Sequence, residues 1–499
     1  MTPDQVVKFI DALSNSKSCG IDGIPANILK LAKHQLKLPL TWIINTSLRT
    51  GKFPRCWKTA KIIPLFKCKG CPMEAKNYRP VSLLSPVSKI LECCVVQQIE
   101  KHMTSKQLWH PAQNACRGGR STTTALLQLS EHWMSSVEGK WKTVLMLVDL
   151  SAAFDCINSK ILKSKLERYN CGSSVTSWVE NYMMGRLFCV SVGGKESLLH
   201  PIESGVPQGS CLGPLLFIIF TNDMLDLRVS SEACTCPATP SKGMWQPRCH
   251  ECCPAVAYAD DTTIVVTARS EERLEAVLNG ALNAYEAYLT ANRMVINTGK
   301  TEILRTGFRL GSAEEDSLRL EACDAEGNRI SPKESCRLLG LILGRNMNWN
   351  HHLMEDKGSL HARIRKRLSA LKILGKYVKT SRKIILANGL VNSLLVYCVQ
   401  LWGIGATKKQ LRQTQVLQNQ TAKWALGWGK GAATSKVLKN IGWLSVTQLV
   451  QYHAIMQLWK LARGEYLCLD TGIDWQESRT QGSNWILTAP YRMEFMRRT

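Results

Sequence analysis

Ala257-Tyr258-Ala259-Asp260-Asp261 sets two carboxylates side by side in a short turn, with Thr262-Thr263-Ile264-Val265-Val266-Thr267 behind it. Apolar and β-branched residues around such a turn predict a β-hairpin with acids at its tip. Two carboxylates about 4 Å apart, at an effective dielectric of about 20, repel by about 4 kcal/mol. A cation between them removes that cost, and oxygen-only ligands suit magnesium. A solvated turn is the alternative, because Asp is an ordinary turn residue. A third acid upstream shifts the balance. Thr143 to Val148 is a continuous apolar run, the pattern of a strand buried on both faces, and it ends in Asp149. A carboxylate at the end of a buried strand, able to meet a carboxylate hairpin, is what two-metal phosphoryl transfer requires.

These acids sit inside longer signatures. Asp149-Leu150-Ser151-Ala152-Ala153-Phe154-Asp155 resembles motif A of reverse transcriptases, and Tyr258-Ala259-Asp260-Asp261 resembles motif C. Between them, Gly205-Val206-Pro207-Gln208-Gly209-Ser210, continuing to Phe217, resembles motif B. The wording is closest to non-LTR (LINE-type) retrotransposons of the jockey-like kind, and the motifs come in the family's order. The resemblance implies an α+β right-hand polymerase with fingers, palm and thumb. It implies RNA-directed DNA synthesis, adding dNTPs to a primer 3′-hydroxyl with two magnesium ions held by Asp149, Asp260 and Asp261. Its partners are then an RNA template, a DNA primer or target, and dNTPs. The rival reading is a decayed, non-catalytic copy that binds nucleic acid through a basic surface.

Other positions follow from the same resemblance. Trp57 to Lys67 and Asn77 to Leu84 form the fingers hairpin, where Lys67 and Arg79 hold the nucleotide triphosphate; a point charge and a planar fork both suit phosphate oxygens. Gln113-Asn114-Ala115-Cys116-Arg117-Gly118-Gly119-Arg120-Ser121-Thr122 matches a further signature, with Ala115-Cys116 standing where the family has Gly-Phe. That departure is expected to alter local packing. Phe154 packs beneath the sugar, and Gln208 and Gly209 lie where backbone approaches a base pair closely. Asp155 closes the motif A segment, and its alternative role is only to cap a helix starting there. Lys300, in a segment resembling motif D, is the general acid for departing pyrophosphate. Arg337 to Leu343 through Trp349 resembles motif E, the primer grip.

The elements that must position these residues are readable in outline. Residues 1–50 form a helical extension, 51–345 the fingers and palm, 346–466 a helical thumb and connection, and 467–499 a weakly patterned tail. Ser270 to Leu289 reads as an amphipathic helix with acids in its first turns. His361 to Lys383 carries nine Lys and Arg residues around Ile364, Leu368, Leu371 and Leu374, one core stripe with a basic face that suits a duplex backbone. Ile384 to Thr407 is a long uncharged run, read as a buried core helix in preference to a membrane span. Within the insertion 228–254, Cys234, Cys236, Cys249 and Cys252 supply four thiolates, a complete tetrahedral zinc set. A reduced surface loop is the alternative there.

The 499 residues hold 64 Lys plus Arg against 39 Asp plus Glu, a net charge of +25 that suits a polyanionic partner. The 20 cysteines come without an apolar leader, so reduced thiols in an intracellular protein are expected, in nucleus or cytoplasm and not secreted. With the first signature so near Met1, and no clear zinc knuckle near the other end, the polymerase part of an element is expected, without the endonuclease usual in such elements.

Overall fold

The computed structural model describes residues 1–15, 18–227, 253–307, 329–345, 349–429 and 431–463, with the short pieces 322–323, 327, 474–477 and 485–488. Helices α1 (Pro3–Ala12), α2 (Ala26–Leu31) and α3 (Lys33–Thr50) open the chain. A capping box at Thr2 starts α1, and Gly51 at φ 66° ends α3. Strands β1 (Thr59–Phe66) and β2 (Tyr78–Leu83) pair antiparallel, with Leu65 opposite Arg79. Helices α4 (Pro86–Ser105) and α5 (Thr122–Glu138) lead to β3 (Lys142–Val148) and the short β4 (Leu150–Ser151). After α6 (Ser159–Arg168) and α7 (Ser173–Met183), β5 (Arg186–Val192) joins β1 in parallel, and β6 (Lys195–Glu196) and β7 (His200–Ile202) pair with β5 to complete that sheet.

Helix α8 (Gly213–Phe220) is apolar throughout and buried almost all round. Then come β8 (Ala255–Tyr258), β9 (Asp261–Ala268), α9 (Glu271–Ala291), β10 (Val295–Ile296) and β11 (Glu302–Gly307). Strands β11, β3, β9 and β8 lie side by side, each antiparallel to the next. Strand β3 sits inside this sheet, and its side chains alternate between two cores. Val144, Met146 and Val148 join the core that contains α9, α4 and α8, while Leu145 and Leu147 join the core that contains α5. Burying each of these side chains contributes about 1.5–3 kcal/mol. A strand buried on both faces needs an uninterrupted apolar run, and Thr143–Val148 supplies it.

The second core continues into the hairpin of Ser335–Leu338 and Leu341–Gly344 and into the later helices, beginning with α10 (Leu360–Leu374). Two expectations are corrected here. His361–Lys383 is not one helix: α10 ends at Leu374, a 3-10 turn spans Gly375–Tyr377, and α11 runs Thr380–Ala387. Ile364, Leu368 and Leu371 are buried, but Leu374 is 53% exposed. Ile384–Thr407 is not a buried core helix either. It widens into a π-type turn at Asn388–Asn392, stops at Val396, and turns through Cys398 at φ 51° before Val399–Trp402. Gly389 and two asparagines offer the backbone alternatives to helical pairing, which accounts for the break. Among the described residues no helix is long and apolar enough to cross a membrane.

Candidate active site

The tip of the β8–β9 hairpin is a two-residue turn. Tyr258 pairs with Asp261, and Ala259 and Asp260 form the loop. Ala259 adopts φ 57°, a left-handed conformation costing an L-residue about 1–2 kcal/mol. Neighbouring backbone holds it there. Ala257 N donates to Ala112 O (3.0 Å), Asn114 N to Ala257 O (2.9 Å), and Ala259 N to Gln113 Oε1 (3.2 Å). Gln113 is completely buried, so this brace is fixed.

Asp149 follows the last residue of β3. Its backbone is pinned by the turn before β11: Asn297 N donates to Asp149 O (2.8 Å), and Thr301 Oγ1 donates to Asn297 O (3.0 Å). Asp149 Oδ2 is shut off from solvent and accepts no hydrogen bond, with Lys300 Nζ facing it at 3.5 Å. Asp149, Asp261, Lys300, Glu302 and Arg337 line one cavity of about 320 Å³. The three acids sense one another. Partial desolvation, then the charge of Asp149, pushes Asp260 up; desolvation, then Asp260 and Asp149, push Asp261 up to about 6.

That donor set fits a hard divalent cation. It is all oxygen, it is electrostatically frustrated, and one oxygen accepts no hydrogen bond. Among the described residues no three acidic, His or Cys side chains stand close enough to cage an ion by themselves. Magnesium commonly completes its shell with waters and substrate phosphates around one or two carboxylates, so the open arrangement suits it.

The Gly205–Ser210 loop packs against the turn after Asp149. Val206 N donates to Phe154 O (3.0 Å), and Gly205 N to Ile157 O (3.0 Å). Gly205 has φ 86°, and a Cβ there would lie 2.6 Å from Asp155 Cα. Gly209, at φ 121°, would bring a Cβ to 2.7 Å from Ser82 O, and Ser82 N donates to Gln208 O (2.8 Å). The loop therefore ties β2 to the acidic turn. Phe154 stacks on buried Phe217 of α8, ring centroids 4.9 Å apart.

Comparison with known proteins decides the family. The profile for reverse transcriptase (RNA-dependent DNA polymerase) matches residues 67–343, more than half of the chain.

The chain belongs to the reverse transcriptase family.

It is 26% identical over 431 residues to the probable RNA-directed DNA polymerase from transposon BS of Drosophila melanogaster, covering 84% of this chain and 44% of that protein. It is also 26% identical over 423 residues to the RNA-directed DNA polymerase from mobile element jockey of the same organism, covering 85% of this chain and 43% of that protein. A Pol polyprotein from the type-1 retrotransposable element R1 of Bradysia coprophila is 24% identical over 360 residues, covering 72% of this chain and 33% of that protein. The chain thus spans less than half the length of these relatives. The jockey-like resemblance read from the motifs is borne out, and the mixed helix and sheet agree with an α+β reverse transcriptase.

Motifs A and C meet at the cavity through Asp149 and Asp261. Asp260 sits at the hairpin tip, and Lys300 joins through its ion pair with Asp149. Lys67 and Arg79 do not join this cluster: Lys67 Nζ donates to Lys76 O (2.7 Å) within its own hairpin, and Arg79 is exposed. Asp155 does not cap a helix. Asn158 caps α6, accepting from Lys160 N (3.0 Å) and Ile161 N (3.2 Å), whereas Asp155 accepts from Gln208 Nε2. At the Ala115-Cys116 departure, Ala115 is buried and Cys116 is exposed at φ 50°. Cys234, Cys236, Cys249 and Cys252 lie outside the described residues.

Two residues were not legible as part of the site. Gln113 holds the motif C turn, as described above. Glu92 of α4 is fully buried and accepts from Cys211 N (2.8 Å) and Leu212 N (3.3 Å), holding the backbone that leads into α8. A lone acid in the apolar run Ile90-Leu91-Glu92-Cys93-Cys94-Val95 was the available signal.

Proposed function

We propose that this chain is the polymerase segment of a non-LTR, jockey-like retrotransposon protein, an RNA-directed DNA polymerase extending a DNA primer on an RNA template. The observation that carries the reading is the cavity lined together by Asp149, at the end of a doubly buried strand, and Asp261, beside Asp260 at the hairpin tip. Asp149, Asp260 and Asp261 hold two magnesium ions. When bound, the ions supply activation of the primer 3′-hydroxyl and charge neutralisation at the departing pyrophosphate.

The remaining roles belong to side chains. Phe154, kept in place by its stack on Phe217, supports the sugar of the incoming dNTP. Gln208 and Gly209 face the nascent pair, and their loop, hydrogen-bonded to β2, couples nucleotide binding to the β1–β2 hairpin. Lys67 and Arg79 on that hairpin contact the triphosphate, Lys67 first leaving its carbonyl partner. Lys300, 70% exposed, releases Asp149 and gives its proton to pyrophosphate.

In this reading residues 51–345 carry fingers and palm, 346–466 the thumb, and 1–50 a helical extension. A protein that copies an element's RNA into target DNA acts in the nucleus, the cytoplasm or both. The test is a homopolymer RNA template with an annealed DNA primer, magnesium and the complementary dNTP. Magnesium-dependent extension supports the reading. Nucleic-acid binding without extension leaves a non-catalytic copy in its place.

A further inference from the structure

Residues 357–464 hold 19 Lys and Arg and no Asp or Glu. Inside that stretch, the corner where α10 gives way to α11 leaves large apolar and aromatic side chains in water. Ile373, Leu374 and Tyr377 are all exposed, Tyr377 by 87%. Three such neighbours within a few residues mark a contact surface, unlike apolar residues scattered singly.

The corner is seated from behind. Helices α10 and α11 both pack on the helix Lys408–Leu426, which carries Trp424. A Cβ on Gly375 would lie 2.7 Å from Trp424 Nε1, and Lys383 Nζ lies 5.9 Å from the centre of that ring. Glycine lets the turn Gly375–Tyr377 come this close to the indole. Val378 then extends at φ −117°, and α11 starts at Thr380. The turn is thus fixed on its inner side, and Tyr377 stands on its outer side. Lys372, Lys379 and Arg382 are exposed around it, and Arg382 shares one face of α11 with exposed Ile385.

Charge and shape together select the partner. A long run of cations without acids suits a polyanion, and a flat aromatic face among those cations suits a base. In a closed duplex the bases are already stacked on one another, and only backbone and groove edges are offered. An unpaired base has a free face. We propose that the α10–α11 corner is a platform for single-stranded nucleic acid, on which Tyr377 stacks against an unpaired base while Lys372, Lys379 and Arg382 hold the flanking phosphates. Ile373 and Leu374 cover the apolar edge of the same nucleotide. The contact expected of Arg365 and Lys366, earlier on α10, is with phosphates of either form, whereas Tyr377 tells strand from duplex. The platform needs a nucleic-acid partner and no polymerisation, so it does not rest on the polymerase reading.

The experiment titrates the full chain into a labelled oligouridine and into a DNA–RNA heteroduplex of the same length, read by fluorescence anisotropy. Tyr377→Ala should weaken oligouridine binding about tenfold and heteroduplex binding by less than about twofold. Its salt slope on oligouridine should match wild type, because no phosphate contact is lost, while Lys379→Gln with Arg382→Gln should reduce that slope by about 1.4. Tyr377→Trp should keep the affinity and Tyr377→Leu should not, which separates stacking from apolar contact alone. Tyr377 lies at the surface, so all variants should melt with wild type. Equal losses on both ligands, or wild-type oligouridine affinity in Tyr377→Ala or Tyr377→Leu, overturns the proposal. Binding to phosphatidylserine vesicles that Tyr377→Ala abolishes, with oligouridine affinity unchanged, gives the surface to a membrane and overturns it too. A chain that extends no primer, yet loses oligouridine selectively in Tyr377→Ala, keeps the platform and fails only the polymerase reading.

Discussion

Gln208 Nε2 donates to both carboxylate oxygens of Asp155, 3.4 Å from each, so the motif B loop is fastened directly to the end of motif A. The link spans 53 residues of sequence and joins the turn that carries Phe154 to the loop that Ser82 holds from the other side. Three segments that are separate in sequence are thereby tied to one another.

Replacing Gln208 by Ala removes that fastening without touching Asp149, Asp260 or Asp261. The expected outcome is a dNTP KM raised about tenfold, about 1.4 kcal/mol, with kcat changed less. Asp155→Asn keeps an acceptor and should cost less than Asp155→Ala. Steady-state extension with varied dNTP concentration checks the order of the three variants.

Glu92 gives a stability prediction with an internal control. Glu92→Ala leaves the Cys211 and Leu212 amides without their acceptor in a buried setting, costing about 2–4 kcal/mol. Glu92→Gln retains an acceptor and removes a carboxylate that burial has pushed up, so it should stay within about 1 kcal/mol of wild type. Urea denaturation of the three proteins measures this.

Asp261 sets the pH dependence of metal-free protein. Its carboxyl, with an unfolded pKa of about 3.9, sits at about 6 in the folded chain. Above pH 6 the folded state carries an ionised, repelled carboxylate, and stability is lost as pH rises through that value. Below about pH 4 both states are protonated and the difference vanishes. The wild-type melting temperature in chelator should therefore fall from pH 5 to pH 7 relative to Asp261→Asn. Magnesium at pH 7 should recover the difference. Coincident curves for the two proteins would contradict this.

The basic face of α10 divides into two kinds of residue. Arg365 and Lys366 are exposed, whereas Arg367 Nη1 donates to Leu390 O (2.6 Å). Neutralising Arg365 and Lys366 should weaken binding of all template sequences alike and reduce the salt slope by about 2. Arg367→Ala should instead lower the melting temperature with little change in slope. Fluorescence anisotropy across a salt series separates the two.

How much of this was legible in the sequence follows from how local each signal is. The apolar run before Asp149 and the β-branched residues behind Asp260-Asp261 declare strand and hairpin within a few residues, and both elements form as read. The motif B glycines were legible as a tight approach, though not what they approach: Gly205 meets Asp155 and Gly209 meets Ser82. Glu92 and Gln113 were not legible in their roles, because their partners lie 119 and 146 residues away and single polar residues carry no periodicity. The break after Ala387 was missed because apolar spacing continues across Gly389 while backbone pairing does not. The capping alternative for Asp155 falls to Asn158, which shares the chemistry and stands next to the helix.

The most direct measurement is extension of a DNA primer on an RNA template by wild type and Asp149→Asn, with folding checked by circular dichroism and binding by anisotropy. The carboxylate lost in that variant sits at the end of β3 and faces Lys300, so the fold should survive its replacement by an amide. The account predicts magnesium-dependent synthesis by wild type and, in the folded, binding-competent variant, loss of at least about a thousandfold in rate, about 4 kcal/mol. Substantial synthesis by Asp149→Asn, or wild type that binds template and primer and extends nothing, would contradict it.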